Sequence, residues 1–258
     1  ACFEAYPEAN VLPCNSFQAA IDAVSMGNAD LAMLPVENST YGRVADIHQL
    51  LPNSGLHIIG EHYVRVHINL LGLKGSKLSD IKSAMSHTVL LGQCRNYLKK
   101  HNIESITGVD TAGSAEIVSK NQNLNQAALA SELAGKIYGL DVLARHIEDE
   151  SNNTTRFLVM SPNSKSIKIK ENRIKTSLVF RVRNIPAALY KAMGGFATNG
   201  VNMVKLESYM VDGSFTATQF YLDIIGHPDE PAVKRAMEEL SYFTTDIKIL
   251  GVYESGEY

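Results

Sequence analysis

The sequence predicts an α/β chain in two parts, a two-lobed region of alternating strands and helices followed by a ferredoxin-like βαββαβ sandwich. Three observations carry this reading. Short apolar runs alternate with helical stretches from Pro13 to Pro162, the pattern of an α/β fold with mainly parallel strands. From Ser161 to Arg173 the chain turns polar, with Pro162, Asn163, Ser164 and Ser166 beside Lys165, Lys168, Lys170 and Arg173, and reads as a linker. Beyond it, the apolar periodicity spells strand, helix, strand, strand, helix, strand.

In chain order, Asn15 or Ser16 is placed to cap a helix that stops near Gly27, and Asp30 to Val36 reads as a buried strand. Gly42 to Leu51 is a helix ended by Pro52. Leu56 to Leu73 is long and β-rich, and it carries the chain from one lobe toward another. Strands at Lys82 to Met85, Ile103 to Val109 and Ala127 to Ala130 alternate with helices at Thr88 to Lys100, Thr111 to Lys120 and Ser131 to Tyr138, the last stopped by Gly139. Leu140 to Ile147 returns as a strand, and Phe157 to Met160 is another. After the linker come strand Thr176 to Arg183, helix Ala187 to Thr198, strands Val201 to Val211 and Thr216 to Ile225, helix Glu230 to Ser241 and strand Ile247 to Tyr253. Asp212-Gly213 supplies the hairpin turn between the two middle strands.

The bulk chemistry narrows the function classes. At 258 residues, 45% hydrophobic and 20% charged, the composition is that of an ordinary globular protein. A formal charge of −3 offers no basic field for nucleic acid. The apolar runs, such as Ile68 to Leu73, are too short to span a bilayer, and no signal-peptide pattern opens the chain, so a cytoplasmic protein without membrane partners is expected. Cys2, Cys14 and Cys94 form neither a disulfide framework nor a zinc spacing, and are expected to be reduced. His57, His62 and His67 alternate faces of a strand, and no metal site or cofactor is expected.

Four polar clusters fall at strand ends, namely Glu37-Asn38-Ser39-Thr40, Ser86-His87, Asp110-Thr111 and Asn153 to Arg156. Ligands collect at such places in open parallel sheets, because helix N-termini offer unpaired N–H groups. Each cluster also has an ordinary reading as helix-cap chemistry, and Asn153 to Phe157 taken alone is a turn leading into a strand. Capping does not explain Arg156. A hydroxyl beside a fixed guanidinium suits a small anion that must lose a hydroxyl group. His87, next to a helix start, reads as a structural hydrogen-bonding residue before a general base. Gln93 either reaches the same place or solvates a helix face. Glu37 would repel an anion, so it reads as a residue that orients Arg or backbone groups.

Taken together, Pro35-Val36-Glu37-Asn38-Ser39, Ser86-His87 with Gly92-Gln93-Cys94, Asp110-Thr111-Ala112 and Asn153-x-Thr155-Arg156-Phe157 resemble the prephenate dehydratase family. The following domain resembles the regulatory ACT domain fused to it. The resemblance implies a catalytic domain over residues 1–161, similar to type II periplasmic binding proteins with the site between its lobes, a linker over 162–173 and an ACT domain over 174–258. It implies conversion of prephenate to phenylpyruvate, carbon dioxide and water in L-phenylalanine biosynthesis, with no cofactor. Thr155 is the residue that the resemblance assigns to the leaving hydroxyl. Arg156, Phe157, Asn38, Ser39, Ser86 and Gln93 are carried over as substrate-binding residues, Arg156 as a carboxylate clamp and Phe157 as an anchor of the strand behind. Pro186, Ala187, Ala188, Leu189, Asn202, Glu207 and Ser208 are expected to bind L-phenylalanine as an allosteric effector at an ACT dimer interface, in a homodimer or homotetramer.

Two departures stand out. Family members begin with a strand and a Gly-rich loop ahead of the first helix, and neither precedes Ala1, so a longer natural protein is expected. The family's Gly-Ala-Leu appears as Pro186-Ala187-Ala188-Leu189 and its Glu-Ser-Arg-Pro as Glu207-Ser208-Tyr209-Met210, which leaves effector affinity open. Arogenate as substrate, or a non-catalytic small-anion sensor, are the alternatives.

Overall fold

The computed structural model describes residues 1–150, 152–169, 173–210 and 217–256. Helix α1 (Cys2–Ala5) precedes α2 (Phe17–Ser25), where Ser16 Oγ accepts the Ala19 N–H at 3.1 Å, the cap expected from the sequence. Strand β1 (Ala32–Asn38) turns back through Gly42 (φ 77°) into β2 (Gly42–Arg43), so α3 starts only at Ala45 (Ala45–Leu50) rather than at Gly42. Then come β3 (His57–Arg65), β4 (Asn69–Gly72) and β5 (Ser83–Ser86). The expected helix from Thr88 to Lys100 is broken at Cys94 into α4 (Thr88–Gln93) and α5 (Arg95–Lys100). Next are β6 (Glu104–Thr107), α6 (Thr111–Asn121), β7 (Gln126–Ala130), α7 (Glu132–Tyr138), closed by left-handed Gly139, β8 (Asp141–Ala144) and β9 (Thr154–Ser161). The chain ends with β10 (Ile174–Val182), α8 (Ala188–Thr198), β11 (Met203–Met210), β12 (Ala217–Ile225), α9 (Pro231–Phe243) and β13 (Thr244–Glu254). The expected Asp212-Gly213 turn and linker residues Lys170, Glu171 and Asn172 lie outside the described residues. Among the described residues no helix is long and apolar enough to cross a membrane.

The chain forms two compact units, Ala1–Val64 with Thr155–Tyr258, and Arg65–Thr154. In the second, the sheet order is β6-β5-β7-β4-β8. Strands β5, β6 and β7 run parallel, but β4 is antiparallel to both β7 and β8, so the sheet is mixed rather than mainly parallel. The reason lies in the connections. Strands β7 and β8 share a direction and are joined by α7, and β4 slots between them against their direction.

In the first unit the sheet order is β11-β12-β10-β13-β3-β9-β1-β2. Strands β10 to β13 with α8 and α9 have the βαββαβ order and the sheet order of a ferredoxin-like sandwich. The link to the rest of the sheet is the parallel pair Gly251↔Ile58, and glycine is required there because a Cβ on Gly251 would stand 2.1 Å from the Ile58 carbonyl oxygen. Strand alternation sorts the two faces. Leu178, Phe180, Phe220 and Leu222 pack under Ala192 and Phe196 of α8 and Ala236 and Leu240 of α9, whereas Val179, Tyr221 and Tyr253 join Ile21, Leu34, Ile47 and Leu158 in a second core.

One polar side chain is stranded in that second core. His48 on α3 is 2% exposed, stands edge-on to Tyr221 with ring centroids 5.1 Å apart, and neither ring nitrogen has a hydrogen-bond partner among the described residues. Burial, with Lys205 and Arg43 adding to it against the opposing pull of Glu207 and Glu37, pushes its pKa down to about 4. The unfolded chain therefore binds a proton here below about pH 6.5 that the folded chain refuses until near pH 4. Stability from this group is complete above pH 6.5 and is lost as pH falls, by about 3 kcal/mol at most. Urea melts of the wild type and His48→Leu at pH 7 and pH 5 are expected to show a shallower acid loss in the variant; equal losses would show that His48 does not titrate in this way.

Candidate functional site

The polar cluster after β1 and the one at the start of β9 meet in the first unit. Antiparallel pairing sets Asn38 opposite Thr155 and Glu37 opposite Arg156, with a register shift between Pro35 and Glu37. Thr155 and Arg156 therefore lie within the strand rather than in a turn ahead of it. The turn after β1 fixes the Asn38 amide, because its Oδ1 accepts the N–H groups of Thr40 and Tyr41, each at 3.0 Å. Its Nδ2 consequently faces β9 and donates to Thr155 Oγ1 at 3.0 Å. With that oxygen accepting from Asn38, the half-buried Thr155 hydroxyl keeps its own hydrogen for donation. Ser39 lies exposed in the same turn, and half-buried Phe157 pairs with Pro35.

Arg156, on the opposite face of β9, is 3% exposed. Its Nε donates to Glu61 at 2.6 Å, Nη1 to Glu37 at 2.8 Å and to Asp223 at 2.7 Å, and Nη2 to the Tyr253 hydroxyl at 2.9 Å. Lys175 Nζ binds Glu61 at 2.7 Å, Lys205 binds Glu37, and Ser177 Oγ bridges Asp223 and Tyr253 at 2.5 and 2.7 Å. Three cations thus face three carboxylates. Burial opposes the charge on Arg156, but Asp223 and its neighbours hold the guanidinium protonated, far above any accessible pH. Burial likewise opposes ionisation of Glu37, and the hydrogen bonds from Arg156 and Lys205 outweigh it, so its carboxyl sits below the usual range. Arg156 is thus engaged within the protein. Its donors go to Glu61, Glu37, Asp223 and the Tyr253 hydroxyl, and strand alternation turns it away from the face that carries Thr155.

The remaining sequence-predicted residues lie in the second unit or on the C-terminal strands. Ser86 ends β5, is fully buried, and donates to the Leu129 carbonyl at 2.8 Å. His87 caps α4, with Nδ1 accepting the Val89 N–H at 3.3 Å, which is the structural reading of that residue. Gln93 ends α4 and is buried. Asp110 caps α6 through Gly113 N–H at 2.6 Å. Cys94 is fully buried, and burial, then Asp149 and Glu148, push its thiol up to about 12, which removes it as a nucleophile. Pro186 to Leu189 lead into α8, with Ala187 in the left-handed region (φ 61°) that favours glycine. Asn202 precedes β11 and its carbonyl accepts the Ile225 N–H. Glu207 and Ser208 lie on β11, where Arg43 donates to the Ser208 carbonyl at 2.7 Å. Tyr209, in place of the family's arginine, is buried in the core that holds Tyr221.

A family model described as prephenate dehydratase matches residues 1–165. The chain is 46% identical, over its whole length and 92% of the relative, to a bifunctional N-acyl-homoserine lactone acylase/prephenate dehydratase of Komagataeibacter europaeus. It is 37% identical, over 98% of this chain and 68% of the relative, to the chloroplastic arogenate dehydratase/prephenate dehydratase 1 of Arabidopsis thaliana. The crystal structure of prephenate dehydratase from Arthrobacter aurescens in complex with L-Phe superposes with a TM-score of 0.86 at 30% identity, covering 96% of this chain and 82% of that one. These matches define an α/β carbon–oxygen lyase. The chain belongs to the prephenate dehydratase family, which acts in the biosynthesis of aromatic amino acids.

The residues missed from the sequence are Glu61, Lys175, Ser177, Lys205, Asp223 and Tyr253. Their signal was polar side chains at inward positions of otherwise apolar strands, which becomes legible once strand faces are known. Removing the central cation leaves buried carboxylates in excess, and Arg156→Met is expected to cost about 3–5 kcal/mol in urea unfolding. A cost under about 1 kcal/mol would mean that the cluster is not a net structural element.

Proposed function

We propose that the chain dehydrates and decarboxylates prephenate, with Thr155 as the hydrogen-bond donor to the departing ring hydroxyl. The observation that carries this is the Asn38 Nδ2 to Thr155 Oγ1 hydrogen bond at 3.0 Å, which fixes the hydroxyl rotor while leaving its hydrogen to give. As the bond from the ring to the carboxylate breaks, its electrons enter the ring, the C–O bond breaks, and the ring becomes aromatic. The hydroxide takes up one proton from solvent and leaves as water, and carbon dioxide leaves with it. A donor whose hydrogen bond strengthens as charge grows on the leaving oxygen contributes about 3 kcal/mol, or roughly a hundredfold in rate. Asn38, Ser39, Ser86, Gln93 and Phe157 stay in the proposal as substrate-binding residues, on the strength of their motifs. Arg156 enters it as a positioning residue that fixes β9 from below.

We read residues 1–161 as catalytic, 162–173 as a linker and 174–258 as a regulatory ACT domain that pairs chains into homodimers or homotetramers. L-phenylalanine is its proposed effector, at Pro186 to Leu189, Asn202, Glu207 and Ser208. Support comes from the βαββαβ strand order and from the similar Arthrobacter aurescens structure, which is a complex with L-Phe. The route to Thr155 runs through β11, where Lys205 joins Glu37, which pairs with Arg156. Arogenate is the second reading, favoured by the Arabidopsis relative, whose name carries both dehydratase activities.

Phenylpyruvate absorbance after incubation with prephenate tests the activity, and the same assay with arogenate ranks the two substrates by kcat/KM. Thr155→Val is expected to lower kcat about a hundredfold with KM changed far less, and equal losses in both would contradict a transition-state role. Calorimetry of the full chain with L-phenylalanine is expected to show binding that substrate weakens, and absence of heat would leave the C-terminal domain as a pairing module alone.

A further inference from the structure

We propose that His67, His146 and Glu148 form a binding site for a divalent first-row transition ion of the zinc class. His67 lies between β3 and β4, and His146 and Glu148 follow β8. Pairing of β4 with β8 at Leu70↔Ala144, continued by the Ile147 N–H donating to the Ile68 carbonyl at 2.9 Å, brings these distant segments side by side. His67 Nδ1 stands 3.2 Å from Glu148 Oε1, and one ligand atom from each of the three residues lies within 4.8 Å of the others. Two imidazoles and a carboxylate are the donor set that zinc-class ions take, with water completing the shell. The second carboxylate oxygen accepts the Ile68 N–H at 2.9 Å, an outer contact of the kind that orients a ligating carboxylate.

Two further observations point to a cation. The Glu148 side chain is 6% exposed, and its one ion-pair partner among the described residues is His67, which is charged only when protonated. Among the described residues this nearly buried carboxylate has no permanently charged positive partner, and a bound divalent ion supplies one. The second observation is the backbone of His146, held at a left-handed φ of 52° that is uncommon outside glycine, with its N–H directed to Asn69 Oδ1 at 3.4 Å. That conformation keeps the His146 ring beside His67. The rings are stacked, centroids 4.1 Å apart and planes 12° from parallel, so their in-plane lone pairs run side by side. Both rings are exposed, and each offers a nitrogen within 4.8 Å of the other ligand atoms of the group. Binding thus exchanges a stack for a chelate and releases any proton held by the imidazoles.

The test needs neither substrate nor turnover. Tag-free full-length protein is titrated with Zn²⁺ by calorimetry and with Co²⁺ by visible absorption, alongside His146→Ala and the double variant His67→Ala/His146→Ala, with circular dichroism confirming that each is folded. The expected result is one saturable ion per chain, at least about tenfold weaker binding in His146→Ala, and loss of the site in the double variant. Absence of saturable Zn²⁺ uptake by the wild type would overturn the proposal. Uptake that is the same in the double variant would overturn it too, by placing the ion elsewhere.

Discussion

Burying a guanidinium costs several kcal/mol unless carboxylates and hydrogen-bond acceptors meet it in the interior, and Arg156 is met from every side. The partners come from β1 through Glu37, from β3 through Glu61, from β12 through Asp223 and from β13 through Tyr253. These strands are far apart in sequence, and the neutrality of the cluster is satisfied only when all of them close around β9. Apolar packing in the same core is tolerant of small shifts, whereas hydrogen bonds of 2.6 to 2.9 Å to one planar group are not. The cluster therefore fixes the register of the first unit where the core alone would leave play.

That constraint bears directly on the proposed chemistry, because the residue beside Arg156 is Thr155. A strand held rigidly on its inner face presents its outer face with equal precision, and Asn38 completes the arrangement from the neighbouring strand. The same cluster extends outward through Lys205 to β11, the sheet-edge strand that bears Glu207 and Ser208. A change in the position of β11 thus has a short electrostatic path to the strand that carries Thr155. Regulation of such an enzyme needs no longer relay than this.

Much of the fold was legible in the sequence. The caps at Ser16 and Asp110, the stop at Gly139 and the strand–helix order after the linker all follow from local rules, since capping and turn chemistry act within a few residues. Strand direction was not legible. The antiparallel insertion of β4 between β7 and β8 depends on where a connection returns, which periodicity does not encode. In the site, the Asn38 and Thr155 motifs were visible, but the fate of Arg156 was not. An arginine beside a hydroxyl reads as an anion site, and the partners that claim it, Asp223 and Tyr253, are 67 and 97 residues away. His67 and Glu148, 81 residues apart, escaped notice for the same reason.

Amide hydrogen exchange in Asp223→Asn reports whether the Arg156 cluster locks β9 to the C-terminal strands. Exchange is expected to quicken together in Thr154–Ser161 and in Ala217–Ile225, because loss of the Asp223 carboxylate loosens both strands that this ion pair joins. Acceleration confined to the C-terminal strands, with Thr154–Ser161 exchanging at the wild-type rate, would contradict it.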